Sequence, residues 1–172
     1  HVSSRRQRQM CIRDSSNYAF YFGATPQNTE QLAHLKNVEG CCGVKLFAGS
    51  STGNLLVDKE ADIEKVISSS DRIVSIHSED EDIIKLRKKF ISQGDVHSHP
   101  EWRNVECAMS STRRVVKIAE RYDKKIHVLH VTTKEEVDFL AMHKKNVTFE
   151  TTPQHLTCLL YTSDAADEMR RV

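Results

Sequence analysis

GVKLFAGSSTG (43–53), SIHSED (75–80), IHVLH (126–130) and ETTPQH (150–155) each place a side chain able to ligate a metal at or just past the end of an apolar, strand-like run. The four candidates are Lys45, His77, His130 and Glu150. In an α/β barrel the active site is assembled at the C-terminal ends of successive parallel strands, so ligands far apart in sequence converge at one mouth. The spacing agrees with that geometry. A barrel of ~250 residues in eight strand–helix units allots roughly 31 residues to each unit. Lys45 and His77 are 32 residues apart, one unit, and His130 and Glu150 are 20 apart, a compact unit. The 53 residues between His77 and His130 require a skipped strand or an excursion, which SQGDVHSHPEWRNVE (92–106) supplies.

Outward from these segments the chain alternates strand and helix. YAFYFGA (18–24) reads as a strand, and TPQNTEQLAHLKNV (25–38) as a helix with Thr25 as N-cap and Pro26 at its first position. GVKLF (43–47) is the next strand. A Gly/Ser-rich turn follows, in which Gly49 and Gly53 around Ser50, Ser51 and Thr52 let the backbone approach the mouth. It leads to DKEADIEKVISSS (58–70), whose Ile63, Val66 and Ile67 share a face. RIVSIH (72–77) is a strand, and SEDEDIIKLRKKFIS (78–92) a helix capped by Ser78, acidic at its start and basic later, as the helix dipole favours. Residues 103–123 form a longer helix, KIHVLHV (125–131) a strand, TKEEVDFLAMHKK (133–145) a helix and NVTFET (146–151) the last strand. Strands separated by helices imply a parallel sheet, because parallel neighbours need a crossover.

Composition agrees with an ordinary globular domain: 172 residues, 38% hydrophobic and 28% charged, with a net charge of +1. The length is short of the ~200 residues that a complete barrel needs. No apolar run approaches the ~18 residues of a membrane span, and the basic start lacks the apolar core of a secretory signal, so the expected compartment is the cytoplasm. The five cysteines form no C-x-x-C pair and are read as reduced thiols, with adjacent Cys41 and Cys42 packing just before a strand. Residues 1–15 carry four arginines and no amphipathic period, and 159–172 leave the strand–helix pattern. RQRQMCIRDS and LLYTSDAADE look like translated sequencing-adapter sequence. Both ends are therefore expected to be non-native extensions flanking a partial barrel over 16–158. Arginines without interleaved aromatics give no support to nucleic-acid binding.

GVKLFAGSSTGNLLV, IHSEDE, the HSHPEWR loop, IHVLHVTTKEE and ETTPQHLT together resemble dihydroorotase, of the amidohydrolase superfamily, from about Tyr18 to about Cys158. The resemblance implies a distorted (β/α)8 barrel, of which this chain would supply roughly strands two to six. It also implies two zinc ions and the reversible hydrolysis of dihydroorotate to N-carbamoyl-aspartate in pyrimidine synthesis. Lys45 matches the lysine that is N-carboxylated and bridges the metals. An ammonium is a poor zinc ligand, whereas a carbamate is an anion with two oxygens. His77 and His130 match the histidines of the second metal, for which neutral imidazole is suited. Glu150 matches a glutamate that contacts the metal site in some members, and His155 one that helps to hold substrate. Gln154 departs from the family's T-P-H-H. His127, three residues before His130, is assigned by period-two alternation to the opposite strand face and to packing or hydrogen bonding. His97, His99, Glu101 and Arg103 are read as a polar lid or loop anchor.

The family also uses an H-x-H pair on the first strand, with a nearby arginine and asparagine for the substrate carboxylate, and an aspartate on the eighth that passes the proton. The only H-x-H here is His97-x-His99, on a loop and on the wrong side of Lys45 in sequence. The expectation is an internal piece of a dihydroorotase that is inactive alone. Its partners are expected to be the small-molecule substrate and a second copy or another pyrimidine-pathway enzyme. Two other readings compete with it: a hydantoinase or allantoinase type of cyclic amidohydrolase, and a non-catalytic dihydroorotase-like assembly partner. GSSTG after the lysine favours dihydroorotase over the first of these.

Overall fold

The computed structural model describes residues 18–50 and 55–157. The two terminal stretches 1–15 and 159–172 lie outside the described residues, as do Cys11, Cys158, Ser51, Thr52 and Gly53. Five strands form one sheet: β1 (Phe20–Gly23), β2 (Cys41–Phe47), β3 (Val74–His77), β4 (Ile126–Val128) and β5 (Val147–Phe149). Their order is 1-2-3-4-5 and every pairing is parallel. Such winding proceeds in one direction, as in a barrel, without the reversal of order that marks a doubly wound sheet. A 3₁₀ segment (Thr29–Asn37) links β1 to β2, and α1 (Glu60–Ser69) links β2 to β3. After β3 come α2 (Glu81–Arg87), the short α3 (His99–Trp102) and the long α4 (Val105–Arg121). Then α5 (Lys134–Leu140) leads to β5, and α6 (Pro153–Thr157) follows it.

The register explains why one face is core and the other is available for chemistry. Val44, Val74, Ile126 and Val147 lie side by side across four strands, and Leu46, Ile76, Val128 and Phe149 form the next such row. These two rows pack against Ile63, Val66 and Ile67 of α1, Val115, Ile118 and Ala119 of α4, and Leu140 of α5. Each large side chain so buried contributes about 1.5–3 kcal/mol. The row between them is Gly23, Lys45, Ser75, His127 and Thr148, and Phe47 is level with His77 beyond it. Side chains alternate along a strand, so this second set turns away from the helices. That is the inward face of a partial barrel.

Several elements differ from the sequence expectation for local reasons. The first helix starts at Thr29 and is 3₁₀, not capped by Thr25. Asn28 instead folds back, its Oδ1 accepting from Thr25 N (2.9 Å) and its Nδ2 donating to Gly23 O (2.9 Å), the local bonding by which Asn competes with helix. The helix after β3 is capped by Asp80, which accepts from Asp82 N and Ile83 N, and not by Ser78. Ser78 is buried, bonded to Ser111 (3.0 Å) and Thr112 (2.9 Å) of α4. Cys41 and Cys42 begin β2 rather than precede it, half-buried, and with Cys107 are free thiols.

β4 ends at Val128, so the alternation that assigned His127 to the face opposite His130 stops short of His130. His130 has φ +42, in the left-handed region. Its ring consequently turns to the same side as His127 and meets His77. No helix among the described residues is long and apolar enough to cross a membrane.

Candidate metal centre

Lys45, His77 and His130 come together on the inward face at the C-terminal end of β2, β3 and β4. The Lys45 ammonium lies 4.5 Å from the Phe47 ring centroid, and that ring is 5.9 Å from the His77 ring. His77 and His130 meet edge to face, with centroids 4.9 Å apart and His77 Nδ1 3.0 Å from His130 Nε2. Burial brings the Lys45 amine down to about 8, opposed by the Glu150 carboxylate, which favours its charged form. Burial, followed by the positive ends of His77 and Lys45, also lowers the pKa of His130. A neutral imidazole is the form that can ligate.

The lowered Lys45 pKa has a consequence for stability. Between about pH 8 and its ordinary value of 10.5, the unfolded chain holds a proton on this amine that the folded chain has released, so stability rises with pH across that window. In chelator-treated protein the wild type should therefore gain melting temperature relative to Lys45→Met on going from pH 8 to pH 10.5. Parallel curves for the two proteins would show that the amine is not desolvated.

Glu150 and His155 fare differently. Glu150 acts on Lys45 through its charge and lies 3.2 Å from His127 Nε2, while its side chain stays half exposed. Its backbone is fixed by Glu150 N to Val128 O and Val131 N to Glu150 O. His127 also bonds Thr148 Oγ1 at 2.8 Å, so it is a hydrogen-bonded histidine within the polar row. His155 is exposed on α6 and bonded to Thr152 Oγ1 at 2.9 Å.

Glu79, which the sequence did not single out, and Arg103, read there as part of a lid or loop anchor, belong to the wall of the site. Glu79 Oε2 is 2.8 Å from His77 Nε2 and pairs with Arg103, whose Nη2 donates to Ser50 O at 2.9 Å. Arg103 thus anchors the 92–106 loop to the turns after β2 and β3. A side chain at Gly49 would place its Cβ 2.7 Å from Glu79 Cβ and 2.8 Å from Glu79 O, so only glycine lets those turns touch. The neighbouring carboxylates have separate tasks. Asp80 holds Ser110 and Arg114 of α4, at 2.7 Å each, and buried Glu81 accepts from Ser50 N at 2.7 Å. Beneath the histidine loops, Ser78, Thr112, Glu136 and Thr133 form a buried chain of hydrogen bonds that joins the segment after His77 to the segment after His130.

Do these residues suit a zinc centre? Among the described residues no three His, Cys, Asp or Glu side chains converge on one point. The Lys45 carbamate would be a ligand of another type beside the two imidazoles. Two features favour the fit. The facing nitrogens are 3.0 Å apart, close to the ~3.3 Å between two tetrahedral ligands at ~2.05 Å from one ion. Ser75 Oγ, in the same polar row as Lys45, is also buried with no hydrogen-bond partner.

No family model matches the chain. It is similar to the dihydroorotase of Halobacterium salinarum, 31% identical over 114 residues that cover 65% of this chain and 26% of that protein. It is also similar to the allantoinase of Bacillus velezensis, 25% identical over 150 residues, 81% of this chain and 33% of that one. The L-hydantoinase (dihydropyrimidinase) from Arthrobacter aurescens superposes with a TM-score of 0.77 at 19% identity, over 87% of this chain and 35% of that chain. At that identity the likeness speaks for fold alone. The chain spans about a quarter to a third of the length of the curated relatives it matches. The fold is that of a partial α/β barrel, and the curated relatives to which the chain is similar are cyclic amidohydrolases. Dihydroorotases are among those relatives, and it is to them that the chain's likeness at 30% identity or above runs.

Proposed function

We propose that this chain carries part of the metal-binding wall of a zinc-dependent dihydroorotase, which opens the cyclic amide of dihydroorotate to N-carbamoyl-aspartate in pyrimidine synthesis. The observation that carries the reading is the meeting of His77 Nδ1 and His130 Nε2 at 3.0 Å beside a half-buried Lys45. His77 and His130 would hold one ion, and Lys45, as its carbamate, would reach both. The chemistry expected of zinc held there is an acidified water and a polarised amide carbonyl.

The chain's own part is to prepare the lysine. Carboxylation needs the free amine: its nitrogen forms a bond to the carbon of CO2 and releases a proton. At pH 8 an ordinary lysine is well under ~1% neutral, whereas one with a pKa of about 8 is roughly half neutral. Glu150, close enough to influence Lys45, is proposed to contact the metal site. His155, exposed on α6, is proposed to help hold the substrate.

Alone, the chain is expected not to turn over dihydroorotate, because its only H-x-H, His97 and His99, lies on the 92–106 loop, away from the sheet. A chimera tests the reading: residues 18–157 replace the matching segment of the Halobacterium salinarum dihydroorotase. Hydrolysis of dihydroorotate, with none of hydantoin or allantoin, is the expected result. Preference for hydantoin or allantoin would favour the second reading, which the allantoinase relative supports. A folded, zinc-loaded but inactive chimera would favour a non-catalytic partner.

A further inference from the structure

His77 Nε2 is buried, and the polar group nearest to it is the carboxylate of Glu79, at 2.8 Å. An ionised carboxylate can only accept, so this nitrogen must carry the ring proton if the two are to attract. The oxygen lies off the ideal N–H direction, and the same atom, Oε2, is also held by Arg103. Arg103 is in turn fixed by Ser50 O at 2.9 Å and by the Trp102 ring, 4.6 Å from its guanidinium carbon. The other nitrogen, Nδ1, then bears a lone pair and points at His130 Nε2, 3.0 Å away. That lone pair on Nδ1 is the group able to hold a cation at this point, or to accept from His130 Nε2 when no cation is there.

We infer that Glu79, braced by Arg103, is a positioning residue that fixes His77 as the Nε2–H tautomer and leaves Nδ1 free to ligate. The inference rests on the metal-holding reading above and adds to it which nitrogen binds and what selects it. Outer partners of this kind orient a ligating imidazole and raise its basicity. They also make the 92–106 loop part of the centre, because Arg103 is the loop's link to it.

Nitrogen NMR of the imidazoles in the full 172-residue chain, first stripped of metal and then titrated with zinc, is the test. The wild type should show the neutral His77 ring with its proton on Nε2. Glu79→Ala should lose that preference, and Glu79→Gln, whose amide can donate or accept, should give a mixture. Zinc affinity should fall by roughly 10–100-fold in both. Arg103→Lys, which keeps the charge but not the planar fork, should move both readouts less in the same direction and serves if a Glu79 variant fails to fold. A wild type with the proton on His77 Nδ1, or a tautomer unchanged in Glu79→Ala, overturns the inference. A tautomer that follows Glu79 in a chain that takes up no zinc supports the positioning role and sinks the metal reading instead.

Discussion

Lys45→Ala should reduce dihydroorotate hydrolysis by the chimera at least ~10³-fold, and Lys45→Arg should do the same. The size follows from what the lysine is proposed to supply. Metal ions contribute several kcal/mol of charge stabilisation to such a transition state, and each ~1.36 kcal/mol is tenfold in rate. Arginine isolates the cause. It keeps a cation above Phe47, but a guanidinium does not deprotonate in proteins and so presents no free amine to CO2. If the role of Lys45 were only to place a positive charge beside Glu150, Lys45→Arg would retain activity. Activity, zinc content and urea unfolding should be measured on the same samples. The expected pattern is lost zinc and lost turnover with an unfolding transition little changed, because the side chain is only half-buried. An arginine variant with more than about a tenth of the parent rate would remove carboxylation from the account.

The five strands were legible because their apolar runs are flanked by turn residues and separated by amphipathic helices, and all five exist in the order read. The convergence of Lys45, His77 and His130 could also be anticipated, since strand ends of a barrel meet at one mouth. Legibility failed where a side chain acts on the backbone locally or across the sequence. Asn28 looked like an interior helix residue, yet its amide bonds Thr25 and Gly23 and delays the helix. Ser78 looked like a cap because it precedes an acidic run, but its hydroxyl meets Ser111 and Thr112, more than thirty residues away.

Glu79 is the most instructive omission. S-E-D reads as the first turn of a helix, and nothing local distinguishes Glu79 from Asp80 or Glu81, although the three face different partners. Its Arg103 contact spans 24 residues. The one available signal was its position two residues after a histidine at a strand end, on the side where an outer partner for that histidine would lie. His130 shows the converse limit. Period-two alternation holds only while the strand lasts, and a φ of +42 resets which way the ring points.

Ile76→Ala should cost about 2–5 kcal/mol, a large part of the ~5–15 kcal/mol that holds an ordinary domain together. Ile76 is fully buried at the middle of the Leu46, Ile76, Val128, Phe149 row, in the central strand. The helices behind that row cannot close over the missing methyls without breaking parallel pairing on one side or the other. The same strand carries the site: Ile76 O accepts from Leu129 N at 3.0 Å and His77 O from Ala48 N at 3.0 Å, so β3 ties the turns bearing His130 and Ser50 to His77. Damage on the helix face should therefore reach the polar face, lowering zinc affinity along with stability. Leu86→Ala is the control. Leu86 is 75% exposed, and its loss should change stability by no more than about 0.5 kcal/mol. Urea unfolding with zinc titration on both variants checks the link. An Ile76→Ala protein destabilised by less than ~1 kcal/mol would mean that the site does not depend on the packing of the sheet against its helices.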